Sequence, residues 1–297
     1  GVHLGHQAML NQLRLYAKQA QLQTVVVLFE PQPLEFFAKL DAPPRIMPLR
    51  QKIQMLFKCG VEHVLCLSFK QQLAQLSAES FIEQLLLQKL NAKYVLVGKD
   101  FHFGYKRKGN IDLLKHYADQ YKFQLRTVET VEIEKQKISS TQIRKLLSNG
   151  QLSAANQYLG HPFTMSGKVI HGQKQGRTIQ VPTANLPVRH LPLVLQGVFI
   201  VQAKVHDHFK WHNGVASLGF RPTVDSSKKP LLEVHLFDFN ENLYGKRLEV
   251  CFIHKIRDEQ QYDSFETLTK YIYQDIAVAK RYFETMTIDM RYDDECL

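Results

Sequence analysis

The chain has 297 residues, of which 44% are hydrophobic and 22% are charged. This balance excludes a wholly disordered protein, and the length predicts two domains. The net charge of +10 leaves two classes open, a nucleic-acid-binding protein or a protein that handles small polyanions such as nucleotides.

Cysteine content and hydropathy limit the environment. The four cysteines form no CxxC pair and are too few for a disulfide scaffold, so we expect a reduced, cytoplasmic setting. The longest apolar run covers residues 25–29, whereas a membrane span needs roughly 20 residues. No membrane partner is therefore expected.

The first half of the chain alternates between helical and strand patterns. Apolar residues at helical spacing predict helices over residues 5–21, 49–59, 77–90 and 110–120. Short β-branched runs predict strands over residues 24–29, 63–68, 94–98 and 123–128. This alternation predicts a doubly wound α/β domain of Rossmann-like type over about residues 1–135.

After Gly150, glycines, prolines and short β-rich runs replace the helices. Strands are predicted over residues 163–169, 198–205, 231–239 and 247–253, and an amphipathic helix over residues 264–283. We therefore expect an all-β barrel that is closed by a helix.

Two histidines lie one helical turn apart at the start of the first predicted helix. The amides and the dipole of a helix N-terminus favour a phosphate there, and His3 and His6 add side-chain donors. Solvated surface histidines are an equally open interpretation.

A second segment, Ile138 to Arg144, lies on a loop that leads into a helix. Ser140 and Thr141 are expected as ordinary helix caps. Arg144 is predicted in the first turn, where a cation opposes the helix dipole, and a phosphate contact would explain it.

The segment from Val97 to Gly104 follows the carboxyl end of a strand, where open α/β sheets bind ligands. Phe101 and Phe103 either pack against a flat ring or belong to the core, which is the usual place for phenylalanine.

Taken in order, these three segments resemble the HxGH nucleotidyltransferase superfamily, and more closely its flavin-adenylating branch. In that branch a strand with Gly-x-Phe-Asp precedes the first motif, so we expect part of the site to precede Gly1. Gln32 stands where the branch usually has a histidine between two prolines. The resemblance implies that His3, His6 and Arg144 are catalytic and stabilise charge. The ATP-binding residues that it implies are His3, Gly5, His6, Ser140, Thr141 and Arg144. It also implies that Asp100, Phe101 and Phe103 bind the flavin.

In the second half, residues 171–178 form a glycine-rich basic segment. It is not a Walker A motif, because the glycine spacing is one residue short and Arg177 replaces lysine. It is either a flap over a triphosphate or an ordinary turn. Thr183 and Asn185 offer oxygen ligands suited to Mg²⁺. Glu233 shares a strand face with His235 and is either a general base or a solvated outer-face residue.

This half resembles the riboflavin kinase domain, a six-stranded Greek-key barrel. The resemblance covers several ordered motifs, at residues 167–172, 176–177, 182–185, 197–199, 219–223, 233–237, 243–246 and 257–259. Residues 180–181 are Gln-Val where Gly-Phe is usual, and Ser217 replaces asparagine. The resemblance implies that Glu233 is the catalytic base and that Thr183 and Asn185 bind Mg²⁺ and the nucleotide. It implies further ATP-binding residues at Lys168, Gly172, Gly176 and Arg177. The flavin-binding residues that it implies are Tyr244, Arg257 and Glu259.

With both halves in one chain, the sequence resembles the bacterial bifunctional riboflavin kinase and FAD synthetase family. The resemblance implies an FMN adenylyltransferase domain over residues 1–158 and a riboflavin kinase domain over residues 159–297. ATP would phosphorylate riboflavin to FMN, and a second ATP would adenylylate FMN to FAD with release of pyrophosphate. We expect a monomer or weak homo-oligomer without a nucleic-acid partner.

The main alternative is an RNA-linked protein, because HxGH also occurs in class I aminoacyl-tRNA synthetases and the chain is basic. Residues 138–144 differ from the KMSKS loop of those enzymes, and the second half does not resemble an anticodon-binding domain. A non-enzymatic flavin-binding regulator is a third possibility.

Overall fold

The computed structural model describes residues 1–128, 132–133, 136–172, 175–206, 208–220 and 230–285. The chain divides into two compact units, which we describe separately. The N-terminal unit comprises Val2–Pro43 and Lys52–Ser139, and the barrel unit comprises Gly1, Pro44–Gln51 and the chain from Ser140 onward.

Helices and strands alternate up to residue 128, as the sequence predicts, and two short strands follow. The elements are α1 (Leu4–Ala20), β1 (Val25–Glu30), α2 (Pro33–Ala38), a 3₁₀ turn (Lys39–Asp41), α3 (Leu49–Lys58), β2 (His63–Ser68), α4 (Gln71–Ala74), α5 (Ala78–Ser80), a π-helical segment (Phe81–Lys89), β3 (Tyr94–Gly98), a 3₁₀ turn (Tyr105–Arg107), α6 (Ile111–Tyr121), β4 (Gln124–Val128), β5 (Glu132–Ile133) and β6 (Gln136–Lys137).

The four longer strands of the N-terminal unit pair in parallel, which is the pairing that βαβ connections produce. β1 pairs with β2 from Val25 opposite His63 onward, and β3 pairs with β4 from Tyr94 opposite Gln124 onward. Among the described residues, the hydrogen-bonded ladders join these strands as two pairs. Both pairs contribute to one apolar core, so the predicted Rossmann-like α/β class is confirmed.

That core explains the apolar composition of the strands. Ile82 and Leu114 are almost completely buried at its centre, next to Val97 of β3. Val27 of β1 and Leu65 of β2 pack against the same cluster. The apolar residues of all four strands therefore contribute to one packed interior.

The second half contains two helices, a β-barrel and a long terminal helix. The elements are α7 (Ser140–Ser148), α8 (Leu152–Leu159), β7 (Thr164–Lys168), α9 (Gln175–Thr178), β8 (Ala184–Pro187), β9 (Gly197–Val205), β10 (His212–Phe220), β11 (Pro230–Leu236), β12 (Arg247–Arg257) and α10 (Phe265–Thr285).

The six strands form one antiparallel sheet in the order β7-β12-β9-β10-β11-β8. Its two edges meet just beyond β7, where the Ile170 N–H donates to the Asn185 carbonyl at 2.9 Å. The sheet is therefore a nearly closed barrel, which confirms the predicted fold class of this half.

The terminal helix covers a face of the barrel. Along β9, Phe199 and Val201 are completely buried, and the alternate residues Val198 and Ile200 are buried against Ala279 of α10. A strand that is apolar on both faces needs such a cover. β8 and β10 were not predicted from the sequence, and β12 extends four residues beyond its predicted end.

No helix among the described residues is long and apolar enough to cross a membrane.

We predict that Phe252→Ala destabilises the barrel strongly. Phe252 is completely buried and its ring contacts Phe163 and Phe199, so truncation leaves a cavity that costs about 3–5 kcal/mol. Denaturant unfolding measures this loss. The matched control is Phe209→Ala, whose side chain is 88% exposed and whose removal should change stability by at most about 0.5 kcal/mol. Equal effects of the two substitutions would contradict this packing.

Candidate active sites

A row of polar side chains crosses three neighbouring strands of the barrel. The β8–β11 register places Asn185 opposite Glu233, and the β10–β11 register places Ser217 opposite Glu233 on the other side. Residues that pair across strands point to the same face, with Cβ atoms about 5 Å apart. Asn185, Glu233 and Ser217 are therefore side by side on a sheet that is otherwise largely apolar.

Asn185 is held rigidly at the end of this row. Its side chain is buried, and its amide Nδ2 donates to the Thr183 carbonyl at 3.2 Å. A Cβ on Gly172 would lie 2.6 Å from the same Nδ2 atom, so only glycine leaves room for the carboxamide there. The predicted ATP-binding residue Gly172 thus makes space for the predicted metal residue.

A cavity of about 500 Å³ opens beside Thr183. Its other walls include Val169, Pro182 and the segment 239–244. Tyr244, a predicted flavin residue, lines the cavity and its ring centroid lies 3.9 Å from that of His171. Thr183 and Tyr244 therefore share one cavity.

Glu259 lies just after β12 and reaches back to β10. Its carboxylate occupies the space above Gly219 and accepts a hydrogen bond from the Ser217 hydroxyl at 3.4 Å. Burial raises the pKa of Glu259, and the charge of Glu233 adds to the rise, while hydrogen bonds from Phe220 and Ser217 partly offset it. Ser217 therefore connects the row to a second carboxylate.

Arg257, another predicted flavin residue, is fixed by the terminal helix. Its Nε and Nη2 donate to the Asp275 carboxylate at 2.9 and 2.7 Å, and Nη1 donates to the Asp258 carbonyl. Tyr262 and Tyr271 flank the guanidinium. Burial opposes the charge, but the bond to Asp275 outweighs it and the pKa of Arg257 is raised.

The flap residues are described in part. Residues 173–174 and the side chain of Arg177 lie outside the described residues. The carbonyl of Gly176 accepts the Val181 N–H at 2.7 Å, and Lys168 is exposed at the end of β7. Gln180 has a φ of 54°, a left-handed conformation that glycine adopts at little cost and other residues do not.

In the N-terminal unit, His3 precedes α1 and its carbonyl accepts the N–H groups of His6 and Gln7. The centroids of the two imidazole rings lie 3.9 Å apart. A Cβ on Gly5 would come within 3.2 Å of the His3 ring, so glycine allows the histidines to approach. His3 is buried, whereas His6 keeps an exposed surface.

The pKa of His6 lies well below its ordinary value of 6.5. Loss of solvation beside the helix start is the main cause, and the neighbouring His3 and Lys52 add to it. His6 is therefore a neutral hydrogen-bonding group at pH 7.

The segment after β3 divides between surface and core. Phe103 is 7% exposed and packs on Phe81 and Phe101, so it is a core residue. Asp100 is exposed and its carboxylate lies 3.7 Å from Lys137 Nζ. Phe101 is half-buried between these environments.

In the barrel unit, α7 begins at Ser140, so Arg144 is its fifth residue and lies beyond the first turn. The prediction that Arg144 opposes the helix dipole in the first turn was wrong. Its Nε donates to the Pro44 carbonyl at 2.7 Å, and burial lowers its pKa. Thr141 is exposed near the start of the helix.

Comparison with known proteins identifies both halves. The family model for FAD synthetase matches residues 1–142, and the model for riboflavin kinase matches residues 159–283. The chain belongs to the bifunctional riboflavin kinase/FMN adenylyltransferase family. The predicted function is confirmed at this level, and the RNA-linked alternative is not supported.

Curated relatives with this family name are similar along almost their whole length. A protein of Buchnera aphidicola subsp. Schizaphis graminum is 42% identical over 95% of this chain and 91% of its own. The relative from Escherichia coli K12 is 41% identical over 95% of this chain and 90% of its own.

A solved structure is also similar. A crystal structure titled as a macrolide-efflux protein from Streptococcus pneumoniae is 32% identical with a TM-score of 0.76, and the match covers 94% of this chain and 90% of that one.

We predict that Asp275→Asn lowers the free energy of unfolding by roughly 3 kcal/mol, because it leaves the Arg257 guanidinium without its carboxylate in a largely buried position. Chemical denaturation measures the change. The control is Glu241→Gln, which removes the exposed ion pair with Lys246 and should cost at most about 1 kcal/mol. The double variant Asp275→Asn/Arg257→Met should lose less than the sum of the single changes, and strict additivity would contradict the coupling.

Proposed function

We propose that Glu233 is the general base of the riboflavin kinase reaction. It would take the proton from the ribityl 5′-hydroxyl of riboflavin as that oxygen attacks the γ-phosphate of ATP, so that FMN and ADP form. The row Asn185–Glu233–Ser217 is the observation that carries this proposal, because it places a carboxylate beside the predicted nucleotide residues.

Thr183 and Asn185 fit a Mg²⁺ ion that is shared with ATP. A hydroxyl and a carboxamide oxygen are hard ligands, and Asn185 is buried and oriented by its bond to the Thr183 carbonyl. When bound, the ion neutralises phosphate charge. The cavity beside Thr183 and Tyr244 has the volume for a nucleotide, and Lys168, Gly172, Gly176 and Arg177 would enclose its phosphates.

Riboflavin would bind on the other side of Glu233. Glu259 lies across Ser217 from the base, and Arg257 is held in place by its bonds to the Asp275 carboxylate and the Asp258 carbonyl. These side chains would orient the flavin so that its hydroxyl faces ATP. Tyr244 lines the cavity beside Thr183, so it would contact the flavin where the flavin meets the nucleotide. Such positioning supplies much of the rate in phosphoryl transfer.

In the adenylyltransferase reaction, the FMN phosphate would attack the α-phosphate of a second ATP and release pyrophosphate. The first amides of α1, including that of Gly5, have no partner within the helix and suit a phosphate chain. His3 and neutral His6 would add donors as charge builds on the triphosphate. The family resemblance assigns the same role to Ser140, Thr141 and Arg144.

Asp100 and Phe101 are retained as flavin residues of the adenylyltransferase. Phe103 would support Phe101 from the core, since the two rings are stacked with centroids 5.4 Å apart.

We keep residues 1–158 and 159–297 as the two functional domains. We further propose a cytoplasmic monomer or weak homo-oligomer that binds no nucleic acid. The low cysteine content supports a reducing setting. Sedimentation analysis and RNA titrations at several salt concentrations test these points.

The kinase proposal predicts that Glu233→Gln abolishes FMN formation, since the amide cannot accept the hydroxyl proton, while adenylylation of added FMN stays within twofold. Chromatographic separation of FMN and FAD measures both reactions in one sample. Glu266→Gln, at an exposed position of α10, is the control and should keep both rates. Substantial kinase activity in Glu233→Gln would overturn the role of this residue.

For the adenylyltransferase we predict that His6→Ala lowers FAD formation from FMN by at least roughly 10-fold, as loss of a transition-state donor does. Riboflavin phosphorylation should be unchanged. His63→Ala, which changes an exposed histidine of β2, serves as the control. FAD formation at the parent rate in His6→Ala would show that this imidazole does not act on the triphosphate.

A further inference from the structure

The segment between the flap helix α9 and β8 is held by two side chains that the sequence analysis did not assign a role. The Nδ1 atom of His235 lies 2.9 Å from the Pro182 carbonyl, and the Tyr273 hydroxyl donates to the Ile179 carbonyl at 2.9 Å. His235 belongs to β11, and Tyr273 belongs to α10. We call residues 179–182 the anchored segment.

The anchored segment is the backbone that leads into Thr183. Val181 within it is buried and donates its N–H to Gly176, so the flap helix and Thr183 are joined through it. Gln180 has a left-handed backbone, which is unfavourable for a residue with a Cβ and persists only where the surroundings enforce it. The two side-chain bonds lie on either side of Gln180.

From this arrangement we propose that His235 and Tyr273 are positioning residues for the nucleotide site of the kinase. By fixing the Ile179 and Pro182 carbonyls, they set where the Thr183 hydroxyl lies relative to Glu233. The proposal rests on the ATP-binding role of Thr183 given above.

The chemistry of His235 suits this role. A carbonyl oxygen only accepts, so Nδ1 carries the proton and donates it to Pro182. Two positions before it on β11, Glu233 faces the same side of the strand. Strand β11 thus carries both Glu233, the proposed base, and His235, which anchors the segment before Thr183. The distance between Glu233 and His235 is fixed because they are two residues apart on one strand.

Neither bond is strong enough to hold the barrel together. A side-chain bond to a carbonyl contributes an amount equivalent to roughly 3- to 10-fold in an equilibrium constant. Tyr273 is half exposed, so water replaces part of its bond and its effect should be the smaller one. Loss of either anchor should therefore weaken ATP binding without unfolding the protein.

The experiment compares His235→Leu, His235→Asn and Tyr273→Phe in the full-length chain. We expect His235→Leu to raise the KM for ATP in the kinase reaction roughly 10-fold and Tyr273→Phe roughly 3-fold, with the KM for riboflavin within twofold of the parent. Asparagine places an N–H near the position of Nδ1, so His235→Asn should recover most of the affinity.

The second activity of the chain serves as an internal control. Adenylylation of added FMN should stay unchanged in all three variants, which verifies folding and enzyme concentration. His206→Leu, at an exposed position after β9, controls for loss of a histidine. Thr183→Val tests the underlying assumption and should raise the KM for ATP by itself.

The outcomes separate the two proposals. If Thr183→Val raises the KM for ATP but the anchor variants do not, the positioning role is overturned and the role of Thr183 stands. If Thr183→Val leaves the KM for ATP unchanged, the ATP-binding role of Thr183 fails, and the positioning proposal fails with it. Equal loss of affinity in His235→Asn and His235→Leu would also overturn the role of the His235 hydrogen bond.

Discussion

The antiparallel register of β8, β11 and β10 is the constraint on which the kinase half depends. It sets Asn185, Glu233 and Ser217 side by side, whereas a slip of one residue would turn Glu233 into the opposite layer. The buried residues Leu232 and Val234, on either side of Glu233, resist such a slip because it would expose them. The apolar interior therefore specifies the position of the polar row.

The terminal helix contributes to this half in two ways. Its apolar face covers β9, which is buried on both sides, so the helix is part of the core. Its polar side chains reach the predicted substrate residues, since Asp275 fixes Arg257 and Tyr273 holds the segment before Thr183. Packing of α10 and geometry of the kinase site are consequently linked, because one rigid element serves both.

Patterns local to the chain were enough to predict most elements. The strands at residues 63–68 and 94–98 agree with the structure because continuous apolar runs mark them. β10 was missed because Gly214 and Gly219 interrupt its pattern, and those glycines are needed where other groups approach closely. The fold class was predicted from the helical and strand patterns, and the family from the order of the motifs along the chain. Pairings such as Arg257 with Asp275, Arg144 with Pro44 and His235 with Pro182 depend on tertiary contacts that no spacing encodes.

Gly219 has a consequence for which mutations the chain can tolerate. The Glu259 carboxylate occupies the space that a side chain at this position would need. Every single-nucleotide missense change of a glycine codon adds at least a Cβ, so each one displaces that carboxylate from β10. Glu233, on the neighbouring strand, would keep its own pairing partners. A substitution at position 219 would therefore displace the Glu259 carboxylate while leaving the Glu233 carboxylate in place.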